Sequence, residues 1–306
     1  MIKYNPKEWF TLIFSIDTDD TLKKSAPYLV GIGLFAYVVA YIQVDYIKID
    51  NNSSFSKINI IHNLLGFVLS LLMVFRTNSA YDRWWEGRKL WGSLLNSSRN
   101  LTIKISQFVP ESDKETRIFF EKMIPNFAYS LVYHLRDQTI LENSNKLKKE
   151  FQDIDSKIFN LQSKGLNLNP LFISKFLFEK VDVLHNKGII SGDRFLLLRE
   201  DLNSFVDILG ACDRIKNSPI PHSYSSFIKK FIFLFTSTLP VTHAVSLGYW
   251  NIFVSVFCLY VIMSLEFLAE EIEDPFGLDQ NDVPTEDISE RIKISVQEIF
   301  QYSEIK

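Results

Sequence analysis

The stretch that decides the fold is FVLSLLMVFRTNSAYDRWWEGRKLWG, residues 67–92, which changes character abruptly in its middle. Its first half is apolar and uncharged, and its second half carries arginines and two adjacent tryptophans. Phe67, Leu71 and Phe75 recur every four residues, so on a helix they lie along one side as a ridge. The residues alone favour a ridge that faces lipid or packs on another helix. In an oligomer, the same ridge repeated around an axis would form a hydrophobic constriction.

Three apolar runs predict membrane-spanning helices. Residues 26–44 contain no charged side chain, and residues 58–75 contain none except an ionisable histidine. Each run is long enough to cross a hydrocarbon core of about 30 Å. Residues 231–265 contain no Asp, Glu, Lys or Arg and are too long for one crossing, so they predict two helices, about 228–243 and 249–268. Buried helices of a soluble protein would explain one such run but not all of them.

The distribution of positive charge predicts the topology. Lys and Arg concentrate before the first predicted span and after the second, which places both termini and the middle segment in the cytoplasm. The predicted order is an N-terminal cytoplasmic segment (1–25), transmembrane helices 1 and 2 (26–76), a helical cytoplasmic domain (77–227), transmembrane helices 3 and 4 (228–268), and a C-terminal cytoplasmic segment with an acidic turn and an amphipathic helix (269–306). Within the middle domain, residues 141–170 are polar and predict a solvated helical hairpin or loop.

Composition and motifs argue against several function classes. The 306 residues are 47% hydrophobic and carry a net charge of −3, so no basic field indicates nucleic-acid binding. GIGLFA at 31–36 matches a dinucleotide pattern, but it lies inside a predicted span without a preceding strand. The histidines show no metal-ligand spacing, and no charge pair is evident within the spans. We therefore expect neither an enzyme nor a bound metal or cofactor.

Three segments resemble one known family. LLGFVLSLLMVFRTNSAYDRWWEGRKLWG (64–92), CDRIKNSPIP (212–221) and EIEDPFG (271–277) are similar to the bestrophins, in particular to their prokaryotic branch. The resemblance extends over essentially the whole chain. It implies an all-α polytopic membrane protein that assembles as a homopentamer around a central pore, with the lipid bilayer as its other partner. The expected location is the cell membrane.

The resemblance also implies a function and a set of site residues. Bestrophins are channels that passively conduct small monovalent ions, chloride and other anions in eukaryotic members and sodium-type cations in some prokaryotic ones. Their second membrane helix lines a neck with three apolar rings, which fall here on Phe67, Leu71 and Phe75. A second constriction, at the cytosolic exit, falls near Leu196. The alternative hypothesis is a non-conducting membrane scaffold or sensor that binds a partner through its cytoplasmic helices.

Calcium binding is the point at which this sequence departs from the eukaryotic pattern. Eukaryotic members bind calcium with a dense acidic run just after the DPFG-like turn. Here only Asp279 and Asp282 are acidic among the five residues that follow Gly277. A calcium site at this acidic turn is therefore the weaker interpretation, and a solvated segment that leaves the membrane is the favoured one.

Overall fold

The computed structural model describes residues 21–49, 54–137 and 169–304. Its regular elements, in chain order, are α1 (Thr21–Ala40), a π-helical turn (Tyr41–Tyr46), α2 (Ser54–Phe108), α3 (Lys114–Leu135), α4 (Pro170–Asn186), α5 (Gly192–Asn217), α6 (His222–Leu247), α7 (Trp250–Glu273) and α8 (Thr285–Glu304). The described part of the chain contains no strand. The all-α prediction is thus confirmed. Residues 1–20 of the predicted N-terminal segment and nearly all of the predicted hairpin at 141–170 lie outside the described residues.

Four helices are long and apolar enough to cross a membrane, as predicted. They are Thr21–Tyr46, Ile58–Phe108, His222–Leu247 and Trp250–Glu273. The last two follow each other closely, because the chain reverses at Gly248 and Tyr249. Gly248 has φ +57°, a left-handed conformation that glycine adopts at little cost. The first helix of this pair continues to Leu247, beyond its predicted end at about 243, and Pro240 lies inside it.

The chain divides into two compact units. The first unit comprises Met1–Trp84, Pro219–Asp274 and Asp279–Asn281, and the second unit comprises Trp85–Ser218, Pro275–Leu278 and Asp282–Lys306. The long helix α2 contributes its first part to the first unit and its last part to the second. Its 55 residues measure about 80 Å at 1.5 Å per residue, far more than a bilayer needs.

In the first unit, α7 packs against α1 and α6, and α1 also packs against α6. The first part of α2 joins this group through an apolar cluster, in which Leu69 and Met73 of α2 meet four side chains of α6. The α6 members of the cluster are Ile228, Ile232, Phe235 and Leu239. The cluster fixes which side of α2 faces the other helices.

In the second unit, α3 packs against α4, α5 and α8, and α4 packs against α5. Its core is built from large side chains with essentially no exposed surface, including Trp91, Phe120, Phe127 and Phe205. The C-terminal helix α8 buries Ile288, Ile292, Val296 and Phe300, which are spaced along one face.

Candidate functional site

The predicted neck residues lie together on the uncovered side of α2. Phe67, Leu71 and Phe75 are 67%, 47% and 53% exposed within one copy of the chain. Side chains four residues apart on a helix lie nearly above one another, so the three form a continuous apolar line. The structure therefore brings these three residues together on one surface, and the described part of the chain leaves about half or more of each side chain uncovered.

The opposite side of α2 is tightly packed and determines the direction of that line. Leu69 and Met73 are 1% and 4% exposed against α6. A side-chain carbon added at Gly66 would come within 3.2 Å of the Phe235 ring, so the helices meet closely there. Because a close-packed face resists rotation, the ridge of Phe67, Leu71 and Phe75 points away from the helix group.

Two histidines also lie where α2 meets α6. His62 comes one helical turn before Gly66 on α2, and His243 is on α6. His62 of α2 is buried, its Nε2 lies 3.1 Å from the carbonyl oxygen of Phe235, and its ring stacks on the Phe235 ring at 4.3 Å between centroids. The ring of His243 in α6 meets His62 edge-on at 5.4 Å. Among the described residues, no group of three or more His, Cys, Asp or Glu side chains is placed to hold a metal ion.

A buried charge network lies immediately after the ridge. Arg76 is 1% exposed, and its Nη1 lies 2.7 Å from Oε2 of Glu273. Its Nε lies 3.5 Å from Oε2 of Glu266, which is also buried. The expectation that no charge pair lies in the spans is wrong, because Glu266 is inside α7 and pairs with α2. The partners are 190 or more residues apart in sequence, so no local pattern indicated them.

Glu273 connects this network to the other family-like segments. Its backbone oxygen accepts a hydrogen bond of 3.0 Å from Nε of Arg83, and its Oε1 accepts one of 3.0 Å from the backbone N–H of Ile220. The end of α7 thereby binds both α2 and the segment that leads into α6. Parts of all three segments singled out in the sequence meet within the first unit.

The start of the acidic turn is also tied to α2 within the first unit. The indole Nε1 of Trp84 donates to the backbone oxygen of Asn281 at 2.8 Å. The side chain of Asn281 in turn donates to Oε1 of Glu271 at 2.9 Å. Asp279, one of the two predicted acidic-turn residues, is exposed.

Comparison with known proteins decides the family. A family profile described as "Bacterial/Fungal Bestrophin protein" matches residues 1–298. The chain belongs to the bestrophin family.

Named relatives and solved structures agree with that assignment. A voltage-dependent anion channel-forming protein of Nostoc sp. is 33% identical over 255 residues, which cover 81% of each chain. The voltage-dependent anion channel-forming protein YneE of Escherichia coli K12 is 32% identical over 79% of this chain and 77% of that protein. A crystal structure of a bacterial bestrophin homologue from Klebsiella pneumoniae superposes with a TM-score of 0.76 at 24% identity, over 89% of this chain and 97% of that one.

In this bestrophin, the last three residues of the DPFG turn, Pro275 to Gly277, are packed within the second unit. Phe276 is buried, and a side-chain carbon added at Gly87 would lie 3.1 Å from the Phe276 ring and 3.3 Å from Pro275. The turn is closed by a hydrogen bond of 3.0 Å from the backbone N–H of Val283 to the backbone oxygen of Pro275. Asp282, the second predicted acidic-turn residue, is buried at 4% exposure.

The predicted aperture residue lies at the start of α5, in the second unit. Leu196 is 66% exposed. The first turns of α5 are fixed by Lys104, whose Nζ donates to the backbone oxygen of Leu197 at 3.3 Å and pairs with Asp201 at 2.9 Å. Burial raises the pKa of Asp201, and the Lys104 ammonium opposes that rise. Leu196 is thus an exposed apolar side chain on a well-anchored helix.

Proposed function

We propose that this bestrophin is an ion channel that assembles as a homopentamer in the cell membrane and conducts small monovalent ions passively. The observation that carries the proposal is the line of Phe67, Leu71 and Phe75 on a membrane-spanning helix whose other side is packed. The same helix buries Arg76 directly after this line. The charged side chain thus packs against α7, and the ridge side of α2 stays apolar.

Assembly gives this apolar line a role. In a single copy the ridge would face lipid, whereas several copies around an axis would turn their ridges toward one another. A narrow passage lined by phenylalanine and leucine offers no polar group to replace the water that an ion sheds. Such a neck conducts when it is wet or widened, and it is closed when it dewets. We assign Leu196 to a second apolar ring at the cytosolic exit.

We propose anions as the permeant species, with chloride as the test ion. The named relatives at 32–33% identity are described as anion channel-forming proteins, and this supports the choice. The neck itself carries no charge, so it would not repel either sign of ion. Selectivity for sodium-type cations is the competing outcome, and bi-ionic reversal potentials separate the two directly.

We place both termini on the cytoplasmic side and expect conduction without calcium. The topology is supported by the concentration of Lys and Arg before the first span and after the second. The independence from calcium is supported by the short supply of carboxylates after Gly277, where Asp279 is exposed and Asp282 is buried. Currents that persist in a calcium chelator would agree with this expectation, and currents that vanish would contradict it.

The neck is tested by planar-bilayer recording of the purified protein beside Leu71→Ala and Phe75→Ala. Both substitutions shorten neck side chains, so we expect larger or longer openings than in the parent. Matched controls are Leu34→Ala and Phe253→Ala, because these residues are 64% and 65% exposed but lie on α1 and α7 and not on α2. The controls should conduct like the parent.

Two outcomes would contradict the proposal. If neither the parent nor the neck variants conduct, the non-conducting scaffold or sensor becomes the better hypothesis. If Phe253→Ala changes the openings as much as Phe75→Ala does, the ridge has no special role. Mass measurement of the purified protein in detergent tests the assembly separately, since a stable monomer would have no shared pore.

A further inference from the structure

A groove in the first unit has no role in the neck. It lies between α1 and α6 on a floor formed by α7, and it encloses about 620 Å³. Its walls are largely apolar, with Phe35 from α1, Phe233 from α6 and Leu259 from α7 among them. A volume of this size is within the range of small-molecule sites, and on a membrane-spanning surface it is open to lipid chains.

The glycine pair of GIGLFA shows how the groove arises. A side-chain carbon added at Gly33 would lie 3.4 Å from Val256 of α7, so this glycine permits ordinary helix contact. At Gly31, which lines the groove, an added carbon would meet nothing within 4 Å. Gly31 therefore leaves space where any other residue would begin to fill it.

One end of the groove is polar and carries two carboxylates, one of which pairs with Arg76. Glu266, Glu270 and Lys229 line it there, and Lys229 pairs with Glu270. Elsewhere the hydroxyls of Thr236 and Ser237 donate within their own helix, to the backbone oxygens of Ile232 and Phe233. The polar character that remains for a ligand is thus concentrated at the carboxylate end.

Glu266 is the group that points to a ligand. It is 5% exposed, and apart from its ion pair with Arg76 neither of its carboxylate oxygens has a well-aligned hydrogen-bond donor among the described residues. Its ion-pair partner Arg76 stays 3.5 Å away from Oε2. Buried carboxylate oxygens normally accept hydrogen bonds, because leaving them without a donor costs free energy. A ligand that brings N–H donors to this end of the groove would supply them.

We propose that the groove binds a glycerophospholipid whose headgroup carries a primary ammonium, such as phosphatidylethanolamine. One acyl chain would lie along the apolar walls, the ammonium would donate to Glu266, and Lys229 would face the phosphate. A choline headgroup has the same charge but no N–H donor, so it cannot satisfy the oxygens of Glu266. The expected discrimination is therefore between two lipids of equal charge and similar size.

The test uses the full-length protein, stripped of lipid in detergent and then given equal amounts of dioleoyl phosphatidylethanolamine and dioleoyl phosphatidylcholine. Native mass spectrometry counts the lipids that remain bound. Because a hydrogen bond to a charged group is stronger than one between neutral groups, we expect about a tenfold or greater preference for the ethanolamine lipid. Equal retention of both lipids would overturn the proposal.

Matched variants locate the site. Gly31→Trp fills the groove from a position where space is open, so it should lower retention of the ethanolamine lipid by about tenfold. Val30→Trp adds the same side chain at a neighbouring position that is 63% exposed and does not line the groove, and it should bind like the parent. Full retention by Gly31→Trp would contradict the assignment of the site.

Headgroup recognition and access are tested separately. Glu266→Gln should bind both lipids about equally. Because Glu266 also partners Arg76, Glu270→Gln provides a second variant outside that pair. It removes the other carboxylate that lines this end of the groove, so fewer negative charges face the ammonium and the preference should weaken. Retention of the full preference by both variants would reject the headgroup contact. Cross-linking between copies through Gly31→Cys would show that a second subunit covers the groove, which would also overturn the proposal.

Discussion

Both units of this bestrophin bury apolar side chains, but they differ in the large side chains that they expose and in the charges that they bury. The first unit exposes Phe67 and Phe253 and buries Arg76 and Glu266. The second unit buries Trp91, Phe120 and Phe127 without exposed surface, while Lys89 and Asn96, on its part of α2, are exposed. One helix therefore takes part in both patterns along its length.

We attribute the difference to the proposed topology, in which the first unit lies in the bilayer and the second unit in water. Apolar side chains gain nothing by leaving lipid, so specific contacts within a membrane come from close packing and from polar pairs. In water, burial of apolar area is the main source of stability. The same substitution should therefore have different effects in the two units. Two predictions test this comparison, and two more sharpen the description of the second unit.

The largest expected difference concerns phenylalanine. Phe127 is fully buried, with its ring 4.8 Å from that of Phe205, so Phe127→Ala should lower the free energy of unfolding by about 3–5 kcal/mol. Phe253→Ala removes an exposed side chain and should change the free energy of unfolding by less than about 0.5 kcal/mol. Thermal unfolding followed by circular dichroism measures both. Equal losses would contradict the comparison.

The second prediction concerns the buried charges of the first unit. Arg76→Met leaves Glu266 and Glu273 without their cation, so it should cost about 3–5 kcal/mol of stability. Adding Glu266→Met removes one of the stranded carboxylates and should restore part of that loss. If the double variant is less stable than the single one, the charge pair does not act as the structure indicates.

The third prediction compares two helical glycines of the second unit. Gly87→Ala forces a methyl group against two rigid rings, those of Phe276 and Pro275, and should destabilise by about 1–3 kcal/mol. At Gly210, an exposed position in α5, an added carbon meets nothing within 4 Å. Gly210→Ala should stabilise by about 0.5–1 kcal/mol, because alanine loses less backbone freedom in a helix. If both variants change the free energy of unfolding in the same direction, Phe276 and Pro275 can move aside for a methyl group at position 87.

The smallest expected effect is a pH dependence in the second unit. Burial raises the pKa of Asp201 above that of an ordinary carboxyl group, so the folded protein holds this proton to a higher pH than the unfolded chain does. The stabilisation from this proton is fully present below the unfolded pKa and is lost as pH rises through the folded pKa. Asp201→Asn should remove this contribution to the pH dependence of the free energy of unfolding, which is measured by denaturant titration at several pH values. If the free energies of unfolding of variant and parent differ by the same amount at every acidic pH, this prediction is wrong.

Much of the fold could be predicted because it depends on local properties. The uncharged runs predicted four membrane helices, and spacing alone placed Phe67, Leu71 and Phe75 on one side of a helix. The end of the third membrane helix was predicted too early, at about 243; Pro240 is tolerated inside this helix because packing can compensate for the backbone hydrogen bond that a proline removes. The helix continues past Pro240 and ends at Leu247, where Gly248 allows the chain to reverse.

The site was less predictable because it depends on partners far apart in sequence. Arg76 looks like an arginine at a membrane boundary, and nothing near it indicates that it is buried against Glu266 and Glu273. The open groove beside Gly31 was equally hidden, since both glycines of GIGLFA look suited to close packing. Only the placement of α6 and α7 shows that one of them packs and the other leaves space.

The position of Arg76 has a mechanical consequence for the proposed gate. Phe75 and Arg76 are neighbours on one rigid helix, so a displacement of the neck at Phe75 also displaces the guanidinium. That group is held at 2.7 Å by Glu273, which also binds Arg83 and Ile220. Widening the neck must therefore lengthen the Arg76–Glu273 contact or move the end of α7 together with α2. The resistance of the gate to widening would then depend on the Arg76–Glu273 ion pair, which lies outside the pore lining. A substitution in this pair could change how easily the gate opens without changing the surface that ions pass.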